Sequence, residues 1–419
     1  MEQIKIDLAL DKTALLPGTR QTAYMMVKLT APENVVEDRP DQNLSFVIDR
    51  SGSMSGKKLD YTKKAASFAI GHLGPQDYCS VVAFDDMVNM TASSHKVENK
   101  DALKMAVESI YPGSTTNLSG GMFMGMREVK LAYRENQINR VLLLTDGMAN
   151  VGVTDHRALV EKAAEMAGAG INLSTFGLGE DFEEDLLQAM AESGGGNFYY
   201  IESPDQIPGI FEEELSGLLS IIAQNLTIKV KTGQGISVNG VLGYPFDPGN
   251  DITVSLPDIY SGETKILLFE LDISPQPKVV QSHLELELEY ADVRNNLALV
   301  NLSADLDVHF DANNDGPVEN MEVVKQLELF RCTQAKEEAI RLADEGDFEA
   351  GHQVLKNRVM DMRTSSGLME DSDILQELDE LNDSICSMQA ENYTKASRKK
   401  MAYSAYRQKR GKGKRKKGM

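Results

Sequence analysis

Cysteine is scarce in this chain: Cys79, Cys332 and Cys386 lie far apart in 419 residues, with no CxxC pair. That excludes the dense disulfide framework that staples small secreted domains and makes reduced thiols the expectation. Long apolar runs are also missing, since no uninterrupted stretch reaches the ~18 residues that would suggest a membrane span. The opening MEQIKIDLALDKT has acidic residues where a secretory leader needs a basic start and an apolar run. A cytoplasmic protein with no membrane span is therefore expected. The six histidines form no H-x-x-x-H pair, and no Gly-rich Walker loop, Ser-His-Asp set or catalytic Cys stands out, so the commonest zinc, nucleotide and nucleophile signatures are absent.

Acidic residues are missing from the last 25 positions, which hold 12 Lys/Arg. The formal net charge is −21, so setting those 12 aside leaves −33 on residues 1–394. Such a body repels nucleic acid and anionic lipid, and the basic end alone would attract either. Over 393–419, Lys, Arg and Gly without an apolar pattern read as a disordered basic tail, solvated or self-associating, that could contact nucleic acid or an acidic surface.

With 42% hydrophobic and 26% charged residues the rest has a globular composition, and its length calls for more than one domain. Within residues 1–38, IKIDLAL and TAYMMVKLT alternate apolar and polar positions around the turn-prone LLPGTR, as strands do. The pattern changes over 42–215. Short apolar runs at 44–48, 79–84, 141–144 and 171–178 are separated by amphipathic helical segments at 56–73, 100–110, 118–134, 155–169 and 181–193. Runs apolar on both faces and spaced by helices indicate a doubly wound α/β domain with a parallel sheet. After a bridging helix around 204–223, residues 225–312 read as an antiparallel β-sandwich, which residues 2–30 would join, making the α/β domain an insertion. Residues 317–392 are helical.

The chemistry concentrates after the first core strand. SFVIDRSGSMSG sets Asp49, Ser51 and Ser53 in a D-x-S-x-S turn at the strand's carboxyl end, where open α/β sheets bind ligands. A carboxylate and two hydroxyls suit a hard cation such as Mg²⁺, which takes about six oxygens and keeps several as water. Alone, the motif is also ordinary Asp-Ser-Gly turn chemistry. Two further loops lend it weight: YPGSTTNLSGG offers a threonine hydroxyl ahead of an Asn-capped helix, and VLLLTDG sets Asp146 just past another core strand.

In this order and strand context, the chain resembles the von Willebrand factor A family over about 42–215, including the ending FGLGEDFEEDLLQAMAESGGGNFYYIESPDQI. The resemblance implies a metal-ion-dependent adhesion site with Asp49, Ser51, Ser53, Thr116 and Asp146 as ligands. Thr116 is preferred to Thr115 because family members commonly place the threonine directly before Asn or Asp. It implies Mg²⁺, or Mn²⁺, as the cofactor and a partner protein that donates an Asp or Glu to it. The order of segments resembles bacterial stand-alone von Willebrand A proteins and the inter-α-trypsin inhibitor heavy-chain arrangement.

Two other readings stand beside this non-enzymatic one. Asp49 after a strand is compatible with Mg²⁺-dependent phosphoryl transfer, but that chemistry wants a second acid two positions on, where Ser51 stands. An accessory subunit of an AAA-type ATPase is the third. Separately, DANNDGPVENME spaces Asp311, Asn313, Asp315, Gly316 and Glu322 as a Ca²⁺ loop. The strand-like segment before it and Pro317 favour a plain Asx-rich turn.

Overall fold

The structure, a computed structural model, describes residues 2–33, 40–135, 137–218, 220–244, 251–275, 282–295, 297–310, 318–364, 367–389 and 393–410. It divides into two compact units. One comprises Met1–Asn34, Asn225–Ala291 and Leu299–Met419, and the other Val35–Gln224 with Asp292–Ala298.

The first unit opens with β1 (Lys5–Leu10) and β2 (Gln21–Thr30), an antiparallel pair. The chain then builds the second unit: β3 (Gln42–Asp49), α1 (Lys57–His72), β4 (Tyr78–Phe84), β5 (Val88–Lys96), α2 (Lys100–Glu108), α3 (Leu118–Leu131), β6 (Ile138–Thr145), α4 (His156–Gly168), β7 (Asn172–Leu178), α5 (Glu184–Ser193), β8 (Gly195–Ile201) and α6 (Ile207–Leu218). Its sheet runs β5-β4-β3-β6-β7-β8, parallel except for the antiparallel edge strand β5.

Every residue of β3, β6 and β7 is buried, as expected of strands covered by helices on both faces. Helix α3 lies so close to β3 that a Cβ added at Gly125 would stand 2.3 Å from Val47 Cγ2. The chain winds from β3 outward to β4, then crosses to β6 on the other side of β3. The crevice at the carboxyl ends of β3 and β6 is therefore the topological switch point, the place where such sheets bind ligands.

Back in the first unit come β9 (Ile221–Thr232), β10 (Ile236–Val241), β11 (Asp251–Leu256), β12 (Ile259–Tyr260), β13 (Thr264–Ile273), β14 (Ser282–Asp292) and β15 (Ala298–Val308). They form two sheets, β1-β2-β13-β10 and β11-β9-β14-β15, with β12 beside β9. β2 pairs antiparallel with β13 from Gln21↔Ile273 to Thr30↔Thr264, so segments on either side of the α/β unit share one sheet. The alternation of β14, with Leu284, Leu286, Leu288 and Tyr290 buried between more exposed residues, is the period of two that one buried face requires.

Four helices follow: α7 (Met321–Asp344), α8 (Phe348–Thr364), α9 (Ser372–Ser387) and α10 (Lys395–Lys409). Val323 and Leu327 of α7 pack on Met26 and Leu268 of the first sheet, and the helices share a core around Cys332, Leu355, Leu381 and Met401.

Over Lys395–Lys409 the basic end departs from the expected disordered tail, and residues 411–419 of that tail lie outside the described residues. Residues Lys395–Lys409 form a helix whose Thr394 and Ser397 make a reciprocal capping box. Met401, Ala405 and Tyr406 are buried on one of its faces, an apolar stripe masked in the sequence by the surrounding lysines and arginines. Its cations meet acidic neighbours, Arg398 with Asp344 at 2.7 Å and Lys409 with Glu337, so part of the tail's charge is neutralised internally. One more reading shifts: the bridging helix stops at Leu218, with β9 beginning at Ile221. The polar edge strand β5 carried no apolar signal, and Asp311, Asn313, Asp315 and Gly316 of the suggested Ca²⁺ loop lie outside the described residues. Glu322, the last member of that loop, lies in the first turn of α7 and pairs with Lys28 at 2.7 Å.

Candidate metal centre

Asp49 ends β3 and is fully buried. Its Oδ1 accepts the Ser51 backbone N–H at 2.7 Å and its Oδ2 the Thr145 hydroxyl at 2.5 Å. The first bond bends the chain into the D-x-S-x-S turn, and the second ties the ends of β3 and β6 together. Burial pushes the Asp49 carboxyl up from 3.8 to about 6, opposed by the Thr145 and Ser51 hydrogen bonds and assisted by the neighbouring Asp146 carboxylate.

Asp146, one residue beyond β6, is equally buried. Its two oxygens face different partners: Oδ1 accepts the Ser53 hydroxyl at 2.8 Å, and Oδ2 takes the Lys58 ammonium at 2.5 Å. Ser51 Oγ stands 3.1 Å from Ser53 Oγ. Ser51 is buried and Ser53 exposed, so the cluster opens to solvent on the Ser53 side.

The threonine loop is fastened to the same rim. Gly52 N–H donates to Ser114 O at 2.8 Å and Gly113 N–H to Arg50 O at 2.6 Å, while Asn150 and Val151 N–H donate to Thr116 O at 3.1 and 3.2 Å. Thr116 is buried with its hydroxyl beside the residue that follows Asp146, for a Cβ added at Gly147 would lie 3.1 Å from Thr116 Oγ1. Thr115 is exposed. Asn117 caps α3 through Gly120 N–H, which turns the chain away immediately after the threonine.

Three contributors escaped the sequence reading. Asp85, just past β4, pairs with Arg50 at 2.9 Å and accepts the Met87 and Ser114 N–H groups, joining three loops from beneath. A Cβ at Gly113 would fall 1.8 Å from Asp85 Oδ2, so only glycine lets that loop come so close. Thr145 and Lys58 complete the set. D-x-S-x-S gives no hint of Asp85 or Thr145, and a lysine in the first turn of a helix reads as ordinary solvated charge.

The donors are all hard oxygens: two carboxylates and the hydroxyls of Ser51, Ser53 and Thr116. Among the described residues no group of three or more His, Cys, Asp or Glu is arranged for a metal. The donor set fits a cation that retains water, as Mg²⁺ does, and lacks the histidine nitrogen and cysteine sulfur that dominate zinc sites.

Residues 43–213 match the sequence model of the von Willebrand factor type A domain. The α/β unit is a von Willebrand factor type A domain. The chain is 26% identical to the uncharacterized protein YfbK of Escherichia coli K12 over 62% of its own length and 47% of that protein. It is 31% identical to human inter-alpha-trypsin inhibitor heavy chain H3 over 43% of this chain and 22% of that one. It therefore spans less than half the length of either relative. Among solved structures, a von Willebrand factor type A protein from Catenulispora acidiphila superposes with a TM-score of 0.71 at 16% identity, covering 96% of both chains. At that identity the likeness concerns the fold, and it extends through the antiparallel sheets and the helices as well as the A domain. No helix among the described residues is long and apolar enough to cross a membrane.

Proposed function

We propose that this protein is a metal-dependent binding module whose A domain holds one Mg²⁺ or Mn²⁺ through Asp49, Ser51, Ser53, Thr116 and Asp146 and captures an Asp or Glu side chain of a partner protein. The observation that carries the reading is the meeting of the Asp49 turn and the Asp146 loop at the switch point of the sheet, with Ser53 Oγ 2.8 Å from Asp146 Oδ1 and the buried Thr116 of a third loop beside Gly147.

A bound dication would supply an electrophilic position for a carboxylate oxygen from the partner. The chain's own residues prepare for it. Thr145 and the Ser51 amide hold both oxygens of Asp49 and orient the carboxylate, while the Asp49 turn presents the two serine hydroxyls on one side. The Arg50–Asp85 pair fixes the threonine loop against that turn, so the donors need little rearrangement. Such preorganisation favours binding because less ordering remains to be done.

A nucleophilic Asp49 has less support: the residue is fully buried and both oxygens already accept hydrogen bonds. A non-enzymatic scaffold or assembly role is accordingly part of the proposal, as is a cytoplasmic setting, which the three free cysteines support. The test is affinity capture from native lysate with wild type and Thr116→Val, in Mg²⁺ and in chelator. A partner retained only by wild type in Mg²⁺ supports the reading, and identical captures in all four conditions would sink it.

A further inference from the structure

The Asp146 carboxylate is divided between two faces. Oδ1 points into the hydroxyl cluster through Ser53, and Oδ2 is held by Lys58 Nζ at 2.5 Å. Lys58 sits in the first turn of α1, its side chain partly buried, and the loop after β7 lies against it: a Cβ at Gly179 would stand 3.4 Å from both Lys58 Cε and Nζ. The lysine is thus confined beside the site without occupying its open, Ser53 side.

From this we infer that Lys58 sets the charge of the centre, weakening its hold on the metal in order to strengthen the metal's hold on a partner carboxylate. The inference rests on the metal reading above. With Asp49 and Asp146 alone the protein would offer a dication two negative charges and neutralise it. Counting Lys58, the protein contributes a net charge of about −1, and the loaded centre keeps about +1 with which to attract an anion. The lysine need not leave when the ion enters, because it uses the Asp146 oxygen that faces away from the cluster. A unit charge at this range from a dication changes affinity by about tenfold even at the dielectric of water, and by more in a partly buried site.

The effects on the two ligands must have opposite sign, which a merely structural role for Lys58 would not produce. The experiment compares wild type, Lys58→Met and Lys58→Arg, with the fold of each checked by circular dichroism. Mn²⁺ affinity is measured by electron paramagnetic resonance, and acetate affinity at saturating Mn²⁺ by broadening of the acetate methyl proton line. Lys58→Met is expected to bind Mn²⁺ about tenfold tighter and acetate, which carries half the charge, about threefold more weakly, with Lys58→Arg close to wild type in both. Wild-type Mn²⁺ binding that is unchanged or weakened in Lys58→Met overturns the assignment to Lys58 alone. A folded wild type that takes up no Mn²⁺ overturns the metal reading and this inference with it.

Discussion

Replacing Asp49 with Asn should make the metal-free protein more stable, although the residue lies at the centre of the candidate site. Asp49 is fully buried, and its carboxyl is pushed up from 3.8 to about 6, so the folded state holds the proton more tightly than the unfolded chain does. A group of this kind costs stability as pH rises: nothing is lost below about 4, the loss grows through about 6, and it is complete above. Roughly two pK units correspond to ~3 kcal/mol at neutral pH. The amide can keep the Ser51 N–H as donor to its oxygen and give its own N–H to Thr145 Oγ1, so about 1 kcal/mol of hydrogen-bond geometry is at risk. The net gain is ~2 kcal/mol, or roughly 4–8 °C in the melting of a domain this size. Differential scanning calorimetry in chelator at pH 4, 5, 6 and 7.5 would show the variant's advantage opening between pH 4 and 6 and then levelling. Saturating Mg²⁺ should raise wild type alone, by ~2.7 kcal/mol at 100 times the dissociation constant, and close the gap. An Asp49→Asn protein less stable than wild type by the same amount at every pH would refute the reasoning.

Three further outcomes follow from the packing. Arg140→Met leaves Glu214 buried without the guanidinium 3.2 Å away and should cost about 3–5 kcal/mol, read as a lowered urea midpoint. Gly125→Ala drives a methyl group against Val47 and should cost about 1–3 kcal/mol through overpacking, seen as a lower melting temperature with secondary structure retained. Truncation after Tyr393 removes Met401 from the helical core and Ser404 from Lys336, and should raise binding of a hydrophobic dye and speed proteolysis of α7–α9. An unchanged protease pattern would mean that α10 contributes little to that core.

The A domain was legible in the sequence because its strands are apolar on both faces, and a buried parallel strand advertises itself as a continuous run such as VLLL. The Asp49, Ser51 and Ser53 motif was legible because it is local, and Asp146 because it directly follows such a run. Lys58, Thr145 and Asp85 were not, since each acts on a residue 35 or more positions away or across strands whose adjacency only the topology supplies. β5 was hidden by its polar, half-exposed composition, as edge strands often are. In α10 the charge density that suggested disorder coexists with a buried stripe of three residues. Charge counting sees the first and periodicity sees the second.

The central claim, that five side chains from three loops form one divalent site, is tested most directly by counting bound Mn²⁺ in equilibrium dialysis of wild type and Asp146→Asn. The account predicts one ion per wild-type chain, displaced by excess Mg²⁺, and none at the same free concentration in the variant. An Asp146→Asn protein that binds Mn²⁺ as wild type does would contradict it.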